Sequence, residues 1–157
     1  MLTNNDEWER NVACFLDRQK DSENHDFALG YCTHILSDMY NNIAVWTPFR
    51  LKHPDVLEKG YNSQLNQENN KIDIELALTH EKREEFWRNL SKSQSVDLPG
   101  IIYADEIDRQ KENILDAWYK GQSRPDISSN ELVTYESAML FIKDATDFVV
   151  SHLQKSL

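Results

Sequence analysis

Residues 25–46 read HDFALGYCTHILSDMYNNIAVW, and this run limits what the chain can become. Placed at about 100° per residue, Ala28, Leu29, Cys32, Ile35, Leu36 and Met39 form one wide apolar face. A second stripe carries Phe27, Tyr31, His34, Asp38, Asn41 and Val45. An apolar face backed by an aromatic and polar one predicts a central helix touched by neighbours nearly all round. Gly30 weakens such a helix and is expected to admit the close approach of another backbone. Pro48 is expected to limit the helix at about Trp46.

The same periodicity recurs along the chain. Trp8, Val12, Phe15 and Leu16 mark a helix from Asp6 to about Gln19, followed by the polar break Lys20–Asn24. Pro54–Lys59 reads as a short helix ended by Gly60. Residues 62–70 read as a flexible loop or as the exposed start of the next helix. Ile72, Leu76, Phe86, Trp87 and Leu90 predict a helix from Lys71 to Lys92. After a loop at Pro99-Gly100, another helix is expected from Asp105 to Lys120, closed by Gly121. Residues 122–129 form a loop around Pro125, and Asn130 is the expected N-cap of a last helix. That helix carries the stripe Leu132, Tyr135, Met139, Ile142, Val149 and Leu153, read as a core-facing surface. No strand pattern and no internal repeat is evident. The expected fold is all-α: one single-domain bundle, residues 1–157, of about five or six helices.

Composition narrows the function classes. Only 4 Gly and 4 Pro disfavour a turn-rich β fold or a disordered linker. The net charge of -10, without a basic cluster, disfavours nucleic acid and anionic membrane surfaces as partners. No apolar run is long enough for a transmembrane helix, and no secretory signal is visible at Met1, so membrane insertion is not expected and a cytoplasmic location is. Cys14 and Cys32 lie in helical patterns and read as buried free thiols, with a disulfide between them the alternative. The sequence leaves the oligomeric state open.

The chemistry concentrates on His34 and Asp38. Four residues apart on a helix, they stand one above the other. Such a pair offers a nitrogen and an oxygen to one point, as zinc accepts. The alternative is structural, the two groups bonding to each other or to loop backbone. Tyr31 and Asn41 share the stripe and are candidates for supporting or substrate contacts. Weaker metal candidates are His25, nine residues before His34, and the His80/Glu84 pair, whose charged surroundings favour a solvated helix face. His53 and His152 read as structural or solvent-facing.

The segment FALGYCTHILSD resembles the central helix signature of the zinc-dependent phospholipase C family, through Phe27, Leu29, Gly30, His34 and Asp38. Upstream, Trp8-Glu9-Arg10-Asn11 and Phe15-Leu16 are similar to that family's preceding helix, so the likeness spans about residues 5–50. The resemblance implies an all-α fold, a cluster of zinc ions, and hydrolysis of a phosphoester by metal-activated water. His34 and Asp38 would be ligands, and the substrate a small phosphoester or a lipid. The chain departs from the family in lacking its leading His-bearing segment. It also has Ala44 where the best-known members have a further histidine. The resemblance therefore implies an incomplete or vestigial hydrolase. The alternative is a non-enzymatic helical scaffold or interaction domain that kept the fold without the metals.

Overall fold

The structure is a computed structural model, and it describes residues 5–54, 63–118 and 122–156. The fold is all-α. The α-helices are α1 Asn5–Gln19, α2 His25–Asn41, α3 Thr47–Lys52, α4 Gln64–Thr79, α5 Arg83–Lys92, α6 Ala104–Glu112 and α7 Tyr135–Ser156. Two π-helical segments, Asn42–Trp46 and Asn113–Trp118, extend α2 and α6. Among the described residues the only β pairing is an isolated bridge between Leu98 and Ile102 around a turn at Gly100, whose φ is 81°. That left-handed value suits glycine. The chain divides into two compact units, Met1–Lys59 with Met139–Leu157, and Gly60–Ala138.

In the first unit the predicted faces of α1 and α2 meet. Val12 and Leu16 are buried with Cys32, Leu36, Met39 and Val149, and Trp8, Phe15, Leu29 and Ile35 pack around them. Each fully buried aliphatic side chain contributes about 1.5–3 kcal/mol. On α7 the buried positions are Ala145 and Val149, whereas Ile142 is exposed and Leu132 precedes the helix. His152 is mostly buried beside this core. Its Nδ1 donates to the Phe148 carbonyl at 2.7 Å, and its Nε2 meets Glu9 Oε1 at 3.1 Å, tying α7 to α1.

Pro48 does not end the helical path. Asn42–Trp46 widens into a π turn, in which Thr47 N–H donates to the Asn42 carbonyl, and α3 then begins with Pro48 in its first turn. A proline ring crowds the carbonyl four residues back in an α-helix, and first-turn positions need no donor. The π turn lets the chain continue without that clash. Beyond it, Trp46 stacks edge-on with Phe49 at 6.4 Å, Phe49 lies 4.8 Å from the His53 ring, and Arg50 covers Trp46 at 5.6 Å.

In the second unit, α4 starts at the Ser63 cap, whose Oγ accepts from Asn66 N–H. The polar stretch before Lys71 is thus the start of a helix, but not an exposed one, because Leu65 and Glu68 are buried. Its buried positions are Leu65, Glu68, Ile72 and Glu75, and the two carboxylates bind the loop that precedes α7. Glu68 Oε2 accepts from Leu132 N–H at 2.6 Å and Val133 N–H at 2.8 Å, and Oε1 accepts from Gln64 at 2.8 Å. Glu75 accepts from Arg124 Nε through both oxygens. Asn130 does not cap α7. It bonds the Val133 carbonyl, while Thr134 and Ser137 cap the helix reciprocally.

The expected helix 71–92 is two helices. His80 leaves helical geometry with ψ 135°, and Lys82 N–H donates to its Nδ1. The expected helix 105–120 turns π at Asn113, and its expected close at Gly121 lies outside the described residues. The Pro54–Lys59 prediction lies largely outside the described residues.

Gly30 is exposed on α2, and a Cβ there would meet nothing within 4 Å. The expected close approach is therefore not made by any described residue. Gly30→Ala should stabilise the protein by about 1 kcal/mol, raising Tm by about 2–4 °C in a thermal melt. Glu68 and Glu75 give an acid limb. Burial raises the Glu68 pKa, but the bonds from Gln64 and the Val133, Glu131 and Leu132 backbone outweigh it, and the net shift is downward. The Arg124 hydrogen bond lowers that of Glu75. Their stabilisation is complete above the ordinary carboxylate value of 4.5 and is lost as pH falls through the lower folded values. Denaturant melts at stepped pH should show stability falling below that point. Glu68→Gln should cost about 1–2 kcal/mol at neutral pH and flatten the decline.

Candidate functional site

The phase of α2 decides where its chemistry sits. Ala28, Cys32, Leu36 and Met39 are buried, each at most 1% exposed. His34 lies two residues from both Cys32 and Leu36, a rotation of about 200°, and so points away from the core. Its side chain is 70% exposed and that of Asp38 is 52% exposed. The predicted pair is thus adjacent, but on an open helix face rather than in packed surroundings.

His34 Nε2 and Asp38 Oδ2 are 3.5 Å apart. That is the spacing of a weak ion pair. It is also the edge of a zinc tetrahedron. Zn–N and Zn–O bonds of about 2.0–2.2 Å at the tetrahedral angle place their two donors about 3.3–3.5 Å apart. The distance alone is compatible with either arrangement.

The other predicted residues do not join it. Tyr31 is on the same stripe, but its ring packs edge-on against Phe15 at 5.8 Å, where it anchors α2 to α1. Asn41 lies half-buried at the end of α2. His25 opens α2, and its Nδ1 bonds the Gln19 carbonyl at 3.2 Å, closing the α1–α2 turn. Nine residues at 1.5 Å each put it about 13 Å from His34 along the axis, too far to share an ion. Asn24 occupies the N-cap position of α2, and its side chain makes no capping bond to the first turn. His80 and Glu84 lie in the second unit on either side of the break between α4 and α5, so the expected single helix face does not exist. Among the described residues, no three His, Cys, Asp or Glu side chains are grouped to hold a metal ion.

The cysteines divide. Both are free. Cys32 is buried, and burial pushes its thiol up to about 11. Cys14 is exposed, contrary to the sequence expectation, because it lies about 200° around α1 from the buried Val12.

Two features escaped sequence reasoning. One is the pair of buried carboxylates on α4, whose only sequence signal is the spacing of Glu68 and Glu75 in phase with Leu65 and Ile72. The other is a cleft of about 610 Å³ in the second unit, lined in part by Arg83, Trp87, Arg88 and Ile114. Glu84 also lines it. Among the described residues, no helix is long and apolar enough to cross a membrane. Compared with known protein families, curated proteins and solved structures, the chain matches none.

A thiol reagent checks the environment of the cysteines. Under native conditions Cys14 should react at the rate of an exposed thiol, while Cys32 should stay protected until denaturant unfolds the chain.

Proposed function

We propose that the chain is a metal-dependent phosphoester hydrolase of the zinc-dependent phospholipase C-like class, with His34 and Asp38 as two of its metal donors. The observation that carries this reading is the 3.5 Å separation of His34 Nε2 and Asp38 Oδ2 on an exposed face. It matches the donor spacing of a tetrahedral site. The signature Phe27, Leu29, Gly30, His34 and Asp38 supports the same reading from sequence. A zinc ion bound there supplies a Lewis acid and a water of lowered pKa for attack on phosphorus. His34 would supply an imidazole nitrogen to such an ion and Asp38 a carboxylate oxygen. A catalytic zinc takes about three protein donors, so a complete centre requires at least one beyond this pair. A cytoplasmic setting and a small phosphodiester or lipid substrate go with this reading. The net charge of -10 favours substrates presented outside anionic membrane surfaces.

A second reading is a non-enzymatic helical scaffold or interaction domain. It is favoured by the pairing of His34 with Asp38 and by the want of a third donor beside them among the described residues.

Zinc titration separates the two. Because both side chains are exposed, His34→Ala and Asp38→Ala should change stability by no more than about 0.5 kcal/mol. In the hydrolase reading, zinc raises Tm of the native chain, either substitution removes that rise, and zinc-dependent cleavage of bis(nitrophenyl) phosphate disappears with it. A Tm indifferent to zinc, together with no cleavage, would overturn the hydrolase reading and favour the scaffold one.

A further inference from the structure

As a metal site, the His34–Asp38 pair is half of a coordination shell. Its donor atoms lie 3.5 Å apart on an open face of α2. Among the described residues, no third His, Cys, Asp or Glu side chain is grouped with them. A structural zinc takes four protein donors and a catalytic one about three, so one chain leaves the shell unfilled. The pairing itself is unlike others on the helix surfaces. Asp17, Asp108 and Asp147 each pair with a lysine about one turn away, at Lys20, Lys111 and Lys143. Asp38 pairs with a histidine instead. A charged lysine has no lone pair to give, whereas a neutral imidazole does.

The surface beside the pair has low relief. Gly30, one turn before His34, carries no side chain, and a Cβ there would meet nothing within 4 Å. Thr33 and Ser37 turn their hydroxyls back onto their own helix. They donate to the Leu29 carbonyl at 2.9 Å and to the Thr33 carbonyl at 2.8 Å. These three positions leave room for a second helix at the usual interaxial distance of about 8–10 Å.

A second copy of the chain fits this arrangement. Two-fold symmetry sets a surface against itself, so the donors that one copy presents are presented again by the other. Two imidazole nitrogens and two carboxylate oxygens then make the four corners of a zinc tetrahedron. Opposite edges of a tetrahedron are perpendicular. His34 and Asp38 lie one above the other along α2, so the two copies of α2 must cross steeply and touch over about one turn. So short a contact buries little apolar area, and each chain carries a net charge of -10. The ion, rather than the packing, has to hold the copies together.

We propose that zinc bridges two copies of the chain, taking His34 Nε2 and the Asp38 carboxylate from each. This rests on the assignment of His34 and Asp38 as metal donors, and it supplies the donors that one chain lacks. Four protein donors close the tetrahedron, so water reaches the ion by expansion to five-coordination.

Analytical ultracentrifugation of the full chain, in zinc chloride and in EDTA, is the test, with zinc content measured on the isolated species. The native chain should be monomeric in EDTA and double its mass in zinc, with one zinc for every two chains. His34→Ala and Asp38→Ala, both at exposed positions, should keep the native far-UV spectrum and need at least about tenfold more zinc to dimerise. A native chain that binds one zinc as a monomer would overturn the bridge and leave the two residues as donors within a single chain. A native chain that binds no zinc would overturn the bridge and the donor assignment together. Dimerisation in EDTA, or zinc-driven dimerisation that His34→Ala does not diminish, would show that the pair is not the link and overturn the proposal as well.

Discussion

An α-helix cannot choose its two faces independently, and in the first unit this coupling governs everything else. Once Ala28, Cys32, Leu36 and Met39 turn toward α1 and α7, the rotation per residue leaves His34 and Asp38 no inward direction. The core thereby sets the chemistry. The pair stands in water, where a histidine and a carboxylate cost nothing to keep and remain open to an ion from solvent. A pair inside the core would have needed dedicated partners for both groups. The same coupling explains Tyr31, three residues before His34, which sits at the edge between the two faces and packs its ring on Phe15.

The second unit is organised on a different principle. Its central helix, α4, buries two carboxylates among its apolar positions, and each holds a part of the loop that follows residue 121. Glu68 collects the backbone N–H groups of Leu132 and Val133, which would otherwise lie unpaired just before α7. Glu75 takes the fork of Arg124. Buried charge of this kind contributes little net stability over an apolar replacement, but removing one partner is costly. Its effect is to fix one path for a loop poor in apolar residues. Lys71, reaching Ser129 at 3.3 Å, adds a third fastening to the same loop.

These two principles account for what the sequence made legible. The faces of α1 and α2 follow from local periodicity, and the burial of Val12, Leu16, Cys32, Leu36 and Met39 agrees with it. The adjacency of His34 and Asp38 was legible for the same reason. Their exposure was not, because the aromatic residues sharing their stripe suggested neighbours on that side. The buried glutamates were illegible because their partners lie 49 to 65 residues away. His152 was read as structural or solvent-facing, but its partner Glu9, 143 residues distant, lies beyond any local pattern. The break at His80 was hidden by charges that suit a helix surface well. The π turns were hidden because composition carries no mark of an extra residue in a turn.

The π turn at 42–46 has a consequence for comparing this chain with others. It behaves as an α-helix with one residue inserted. Removing any single residue from it would restore ordinary helical geometry and rotate the chain beyond by about 100°. The stack of Trp46, Phe49 and His53 would then face another side of the molecule. An alignment that runs without a gap from α2 into α3 can thus pair residues that occupy different faces. Length, more than identity, is the quantity to compare across this stretch.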